Sequence, residues 1–393
     1  MNSLLFDNFT IITSLALIFL SILAPMLNPF FRFRKKKQYD DSNLEESVAA
    51  PSISLILTPY DDADKLEKSL PFFLQQHYSS GYQVIIVIEQ GDHDAENIIS
   101  RTLNNTDLSE SNVEVYVTSI PRSSRYVSEK KLAITIGVKA AKYDWVLITE
   151  SSCRPASPQW LNLMARHCNE NNSLVVGYGK YDDNTSSFRR FERLHNSFYL
   201  MREYTKGTAY RMNSYNLLMR KIEFMDKGGF LGNLHLTRGE YDFLVNKYAE
   251  KGNTALETDD KAWLVEDEPS DTKWLNKHLY YMESRRFLER SAKHRLLFNI
   301  DQTALHLTYL LLVAGVLYAS VVSNQILLGA SVLALLITVA FRFLLFRRAS
   351  NDFDERIFPV KTLFYEVSMI WRHLGYMIRY RLADKNDFTT HKL

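Results

Sequence analysis

Residues 120–160 read IPRSSRYVSEKKLAITIGVKAAKYDWVLITESSCRPASPQW. Residues 128–142 carry a helical pattern, and residues 145–149 (WVLIT) form a short continuous apolar run. Such a run fits a strand buried on both faces. It stops at Glu150-Ser151-Ser152-Cys153, and residues 158–171 return to a helical pattern. A helix, a doubly buried strand and a second helix make the repeating unit of a parallel sheet covered on both sides.

The same alternation extends in both directions. Strands are predicted over residues 53–58, 84–89, 113–118 and 174–179, and helices over 63–77, 94–103 and 187–205. The fold class is therefore α/β with a mostly parallel sheet. Ligands of such sheets bind outside the carboxyl ends of the strands. Asp61 and Asp62 follow the first strand, Glu89 ends the second and Glu150 follows the fourth, so three strands deliver carboxylates to one edge. No GxGxxG or GxxxxGK[ST] loop accompanies them, which argues against a dinucleotide oxidoreductase or a P-loop ATPase. A carboxylate edge suits a diphosphate bridged by Mg2+ or Mn2+ instead, because these cations take oxygen ligands.

Composition agrees with a folded enzyme. The chain has 393 residues, 46% hydrophobic and 23% charged, enough for two or three domains or one domain plus membrane segments. Lys+Arg is 47 against Asp+Glu 45, so no excess of positive charge points to nucleic acid. Two cysteines, Cys153 and Cys168, can neither staple a scaffold of this size nor form a CxxC zinc site.

The apolar residues cluster at the two ends. Residues 9–27, 303–322 and 325–346 are each long enough to cross a hydrocarbon core, and only Ser323 and Asn324 separate the last two. Lys35 to Lys37 follow the first run, Lys293 and Arg295 precede the second, and Arg347 and Arg348 follow the third. The positive-inside rule puts all three clusters on the cytoplasmic side. This predicts a multi-pass protein of the plasma (inner) membrane, with its globular domain and C-terminus cytoplasmic. Arg342, near the end of the third run, is expected to snorkel to the interface. Residues 358–381, rich in Phe, Tyr, Trp and Met, read as an amphipathic helix on the inner leaflet or one packed on the spans or the globular domain. The expected organisation is an anchor (1–30), a linker (31–50), the α/β domain (51–298), a two-helix hairpin (299–348) and a C-terminal amphipathic segment (349–393).

Over residues 52–287 the chain resembles glycosyltransferase family 2. The pattern K-x-x-A-x-x-x-G-x-x-A-A over residues 130–141, followed by the strand ending at Glu150, carries most of the likeness. The resemblance implies a GT-A, Rossmann-like fold and inverting transfer from a nucleotide-sugar donor, a UDP-sugar above all. The implied acceptor is lipid-linked or an envelope polysaccharide. It implies that Asp61 holds the base and ribose, that Glu89 reads the uracil, and that Lys131 lies in the donor site. Glu150 and Ser152 fall at the two positions of the Asp-x-Asp motif that binds the metal and donor. Glu240 and Asp242, in Gly239-Glu240-Tyr241-Asp242, fall at the motif of the catalytic base, with Glu240 preferred. Arg286, in Glu283-Ser284-Arg285-Arg286-Phe287, falls at the Arg of Gln-x-x-Arg-Trp that steadies the leaving diphosphate.

The departures matter as much. Glu stands for Asp at 89, 150 and 240, and Ser152 offers a hard cation only a neutral hydroxyl. Residues 210–216 (YRMNSYN) replace a small, glycine-rich acceptor loop with bulky polar side chains. An inactive scaffold or regulatory subunit that keeps the fold is the alternative. The bland reading of each carboxylate is a helix cap for Asp61, a solvated strand end for Glu89, and a favourable charge at a helix N-terminus for Glu240 and Asp242.

Overall fold

The computed structural model describes residues 7–35, 50–59, 63–108, 112–122 and 126–389. Asp61 and Asp62 lie outside them. The chain divides into two compact units. A helical unit holds Met1–Lys35 with Arg290–Gly375, and a sheet unit holds Lys36–Glu289 with Tyr376–Leu393.

Chain order begins with α1 (Asn8–Met26) and α2 (Pro29–Arg32). The sheet unit opens with β1 (Ile53–Leu57), α3 (Ala63–Leu74), β2 (Tyr82–Glu89), α4 (His93–Asn105), β3 (Val113–Ile120), α5 (Glu129–Ala140) and β4 (Trp145–Thr149). There follow β5 (Cys153–Pro155), α6 (Trp160–Ala165), β6 (Leu174–Gly177), β7 (Gly179–Tyr181), α7 (Ser187–Lys206), β8 (Leu217–Arg220) and α8 (Lys221–Asp226). The last elements of this run are α9 (Glu240–Tyr248), β9 (Thr254–Glu257), β10 (Leu264–Glu266) and α10 (Asp271–Ser284). Three long helices complete the chain: α11 (Ser291–Val321), α12 (Gln325–Asp352) and α13 (Pro359–Leu382).

The main sheet has the order β3-β2-β1-β4-β8-β6-β9. All neighbours pair parallel except β8, which runs antiparallel to both β4 and β6. Successive residues of one strand feed opposite cores, as the pleat requires. Leu55 and Leu57 of β1 pack with Leu66, Phe73 and Trp160 on one face. Ile56 packs with Ile134, Val138 and Leu244 on the other. Gly137 lets α5 close on this second face, since a Cβ there would lie 2.6 Å from Ile56 Cγ2. A second sheet of three strands, β5-β10-β7, stands beside the end of β4, with Cys153 opposite Glu266.

Two elements differ from the sequence expectation. The helix expected over 158–171 stops at Ala165, because Arg166 and His167 turn their side chains onto Glu257. The strand expected over 174–179 breaks at Tyr178, where the chain leaves the main sheet for the small one.

In the helical unit, α1, α11 and α12 are each long and apolar enough to cross a membrane. Leu17, Leu312, Ala319, Leu327 and Ala334 form their shared core. Gly315 of α11 abuts Ser331 of α12, the small-residue contact expected between spans. Asn324 turns the hairpin, capping α12 through the amide of Leu327 and donating to Thr10 Oγ1 at 2.7 Å. Arg342 does not snorkel. It is buried, and its Nη1 donates to Glu366 of α13 at 3.1 Å, while Asn28 donates to the other oxygen of Glu366 at 2.6 Å. The segment expected at 358–381 is thus packed at Glu366 in the helical unit. From Tyr376 onward it belongs to the sheet unit.

Candidate active site

The site gathers where β4 ends. Ser128 caps α5, its Oγ accepting the amide of Lys131 at 3.3 Å, and this cap fixes the first turn that carries Lys130 and Lys131. Neighbouring helix positions point about 100° apart, and the two lysines part company. Lys130 turns to the β4 terminus and pairs with Glu150. Lys131 is buried and donates to the carbonyls of Asn233 at 2.7 Å and Leu236 at 2.5 Å. Sequence reasoning put Lys131 in the donor site. The structure commits its amine to the loop ahead of α9, and it is Lys130 that reaches the β4 carboxylate. Burial pushes the Lys131 ammonium down to about 8, against the pull of Glu240.

Glu150 begins a tight turn, its carbonyl accepting the amide of Cys153 at 3.1 Å. Burial raises its carboxyl above the usual range, Lys130 offsets part of that, and the charge of Glu240 adds to it. Ser152 lies in the same turn, with its carbonyl accepting the amide of Asp267 at 3.0 Å.

Glu240 opens α9. Its carboxylate accepts the amide of Gly239 at 3.1 Å and the hydroxyl of Ser128 at 3.5 Å. Gly239 sits at φ +96°, and a Cβ there would lie 3.0 Å from that of Ser284. Glycine therefore allows the end of α10, with Glu283 to Arg286, to lie against the start of α9. Asp242 lies within 3.7 Å of Arg211 Nε. Burial raises the Asp242 carboxyl, and Arg211 offsets part of the rise.

Arg286 is exposed, with its guanidinium 3.5 Å from Glu283 and from the hydroxyl of Tyr380. That tyrosine donates to Glu283 in turn. The C-terminal residues also hold α10 and the loop ahead of α9. Tyr376 stacks on His278 at 4.2 Å, and the carbonyl of Phe388 accepts the amide of Thr237 at 2.9 Å. Glu89 stands half-buried at the end of β2, 4.0 Å from Arg122 Nε. The structure therefore brings Glu150 and Glu240 together. It sets Asp242 and Arg286 on flanking elements and keeps Glu89 on a neighbouring strand end.

A second charged group adjoins Glu150 and was not anticipated. Glu266 ends β10, pairs with Arg193, and lies 3.6 Å from Lys277 Nζ. Burial alone would raise Glu266, but Arg193 and Lys277 hold it below its ordinary value. Lys277 also lies 5.3 Å above the ring of Tyr215. The sequence did carry a signal, since Leu264-Val265-Glu266 repeats the apolar run ending in Glu seen at β4. The bulky segment 210–216 is held by its own polar groups. Asn213 donates to Ser197 Oγ at 2.9 Å and Asn216 to the carbonyl of Ala262 at 3.0 Å.

A family model described as glycosyl transferase family 21 matches residues 16–380. The chain belongs to glycosyl transferase family 21. The likeness to family 2 is thus met at the level of a glycosyltransferase, and the matching family is 21. No curated protein matches the chain. A solved mannosyltransferase from Pyrobaculum calidifontis, in complex with GDP-Man and Mn2+, is similar in fold at TM-score 0.53 and 15% identity. The match covers 93% of this chain and 99% of that one. At that identity the likeness speaks for fold and not for ligands.

Among the described residues, the side chains at the end of β4 in this family 21 chain do not fit a divalent cation. Among the described residues no group of three or more His, Cys, Asp and Glu side chains could hold one. Glu150 is already paired with an ammonium, Glu266 with a guanidinium, and Ser152 brings no charge.

Proposed function

We propose that the chain transfers a sugar from a nucleotide-diphosphate donor, with inversion and on a GT-A scaffold, to a lipid-linked or envelope-polysaccharide acceptor. The observation that carries this reading is the placement of Glu240. Its carboxylate opens α9 beside Ser128 and Glu150, and its hydrogen-bond donors are the neutral Gly239 amide and Ser128 hydroxyl. Asp242, beside Arg211, is the weaker choice.

Glu240 takes the proton of the acceptor hydroxyl, whose oxygen attacks the anomeric carbon. The bond from that carbon to the diphosphate breaks, and its electron pair leaves with the nucleotide. Arg286, oriented by Glu283 and Tyr380, offsets the charge on the leaving group. Glu89 and Asp61 take the nucleoside side of the donor. A UDP-sugar is the donor to try first. The positive clusters at Lys35, Lys293, Arg295, Arg347 and Arg348 support an inner-membrane protein whose sheet unit and C-terminus face the cytoplasm.

The test compares E240Q with D242N. E240Q should lower transfer by at least about 100-fold with nucleotide binding intact, the size expected for a lost general base. D242N should lower it less. The reverse order would move the base to Asp242. A folded protein that binds no nucleotide would leave the scaffold reading standing.

A further inference from the structure

The residues where a metal is expected already hold a cation. Glu150 follows the strand that would present the metal-binding carboxylate, and Lys130 sits on it with both side chains largely buried, 13% and 10% exposed. The ammonium lies 6.0 Å from the ring centres of Tyr215 and Tyr241, whose faces favour positive charge. Its helix starts at the Ser128 cap, so its position is set by the backbone of α5. Lys131 cannot substitute for it, because its amine holds the carbonyls of Asn233 and Leu236. Glu266, another buried carboxylate at this edge, carries Arg193 and Lys277. A dication brought to Glu150 would meet Lys130 head on, and Ser152, in the same turn, offers it only a neutral hydroxyl.

We propose that Lys130 takes the place of the divalent cation and that this chain binds the diphosphate of its donor without metal. The proposal rests on the nucleotide-sugar reading above. An ammonium has three donors. Glu150 takes one and so acts as a positioning residue, and two remain for phosphate oxygens. Lys277, one-third exposed, also lies over the ring of Tyr215 and adds a second positive charge. In the transfer step the bond between the anomeric carbon and the β-phosphate oxygen breaks, and its electron pair stays on that oxygen. Lys130 then donates to the oxygen, while the acceptor's proton rests on Glu240.

The experiment is calorimetric titration of the full chain in detergent with UDP and with GDP, in EDTA, Mg2+ and Mn2+. The expected result is binding of one nucleotide that changes by less than about twofold between EDTA and Mn2+, and that falls at least about tenfold in K130M under every condition. K130R should retain most of it. Because K130M leaves Glu150 buried without a partner, the double variant K130M/E150L is titrated as well, and it should lose binding equally. Binding that vanishes in EDTA and returns with Mn2+ would overturn the proposal and leave the nucleotide-sugar reading intact. So would K130M binding as tightly as wild type. Failure of both nucleotides under every condition would overturn the nucleotide-sugar reading, and this proposal with it.

Discussion

Gly239 lies against Ser284 so closely that a methyl group added at 239 would stand 3.0 Å from the serine Cβ. This contact ties the helix that carries Glu240 to the end of α10, which carries Glu283 and Arg286. Glu240 and the motif at 283–287 are far apart in sequence, and their two helix ends meet here. G239A should therefore injure the site twice. A left-handed alanine costs about 1–2 kcal/mol, and the contact with Ser284 must open. The expected outcome is a lower melting temperature with transfer reduced more than stability alone explains, both partly restored in G239A/S284G. Wild-type behaviour of G239A would show the two elements are not rigidly coupled.

Glu257 is a heavily partnered carboxylate away from the candidate site. Arg166 donates to both its oxygens, at 2.7 and 2.8 Å, and the ring of His167 lies 2.9 Å from one of them. Burial would raise Glu257, but His167 and Arg166 hold it below its ordinary value. R166M leaves a buried carboxylate short of its main partner and should cost about 3 kcal/mol. Chemical denaturation of the detergent-purified protein checks this, and a loss below about 1 kcal/mol would make the pair a surface-grade contact.

In the helical unit the pair Arg342–Glu366 is buried, with Asn28 on the same carboxylate. R342M or E366L alone leaves one charge without its partner, costing about 3–5 kcal/mol. The double variant removes both charges and should recover much of the loss. Melting temperatures of the three variants in one detergent decide this, and additive losses would argue against the pairing.

Lys131 gives a pH signature. Its folded-state value of about 8 lies below the ordinary 10.5. The unfolded chain therefore binds the extra proton between those two values, and stability rises with pH across that window. The contribution is fully present above about 10.5 and lost as pH falls through about 8, on the order of 3 kcal/mol across the window. Between about pH 7.5 and 10, stability curves should show wild type gaining stability relative to K131M as pH rises. Parallel curves would show that Lys131 keeps an ordinary value.

The strands were legible because their apolar runs are continuous. Trp145–Thr149 is predicted and found with the same ends, since both faces are buried and Glu150 stops the run. β5, β8, β9 and β10 were missed. The four residues of β8, Leu217–Arg220, follow the polar segment 210–216 and pair antiparallel, outside the alternation that flagged β1 to β4 and β6. The spans were legible from length and flanking charge, but the burial of Arg342 was not, because its partner Glu366 comes from another helix.

The site was legible at the level of strand ends and helix starts. Glu150 and Glu240 come together because one follows a central strand and the other opens a helix at the same edge. The choice between Lys130 and Lys131 was legible in the pattern, whose lysine is Lys130, but the fate of Lys131 was not, because the Asn233 and Leu236 carbonyls that take it lie a hundred residues away. Lys277 and Arg193 carried no signal in the sequence, because their common partner Glu266 comes from β10, a separate element from either of their helices.

The central claim is sugar transfer from a nucleotide sugar at the Glu150–Glu240 edge. Its most direct test is incubation of the purified chain and membrane lipid with radiolabelled UDP-sugars and GDP-mannose, following label in the lipid or polymer fraction and the nucleoside diphosphate released. The account predicts label incorporated from one donor with matching nucleotide release, and loss of both in E240Q. A folded wild-type chain that transfers from none of these donors, or an E240Q variant that transfers as fast as wild type, would contradict it.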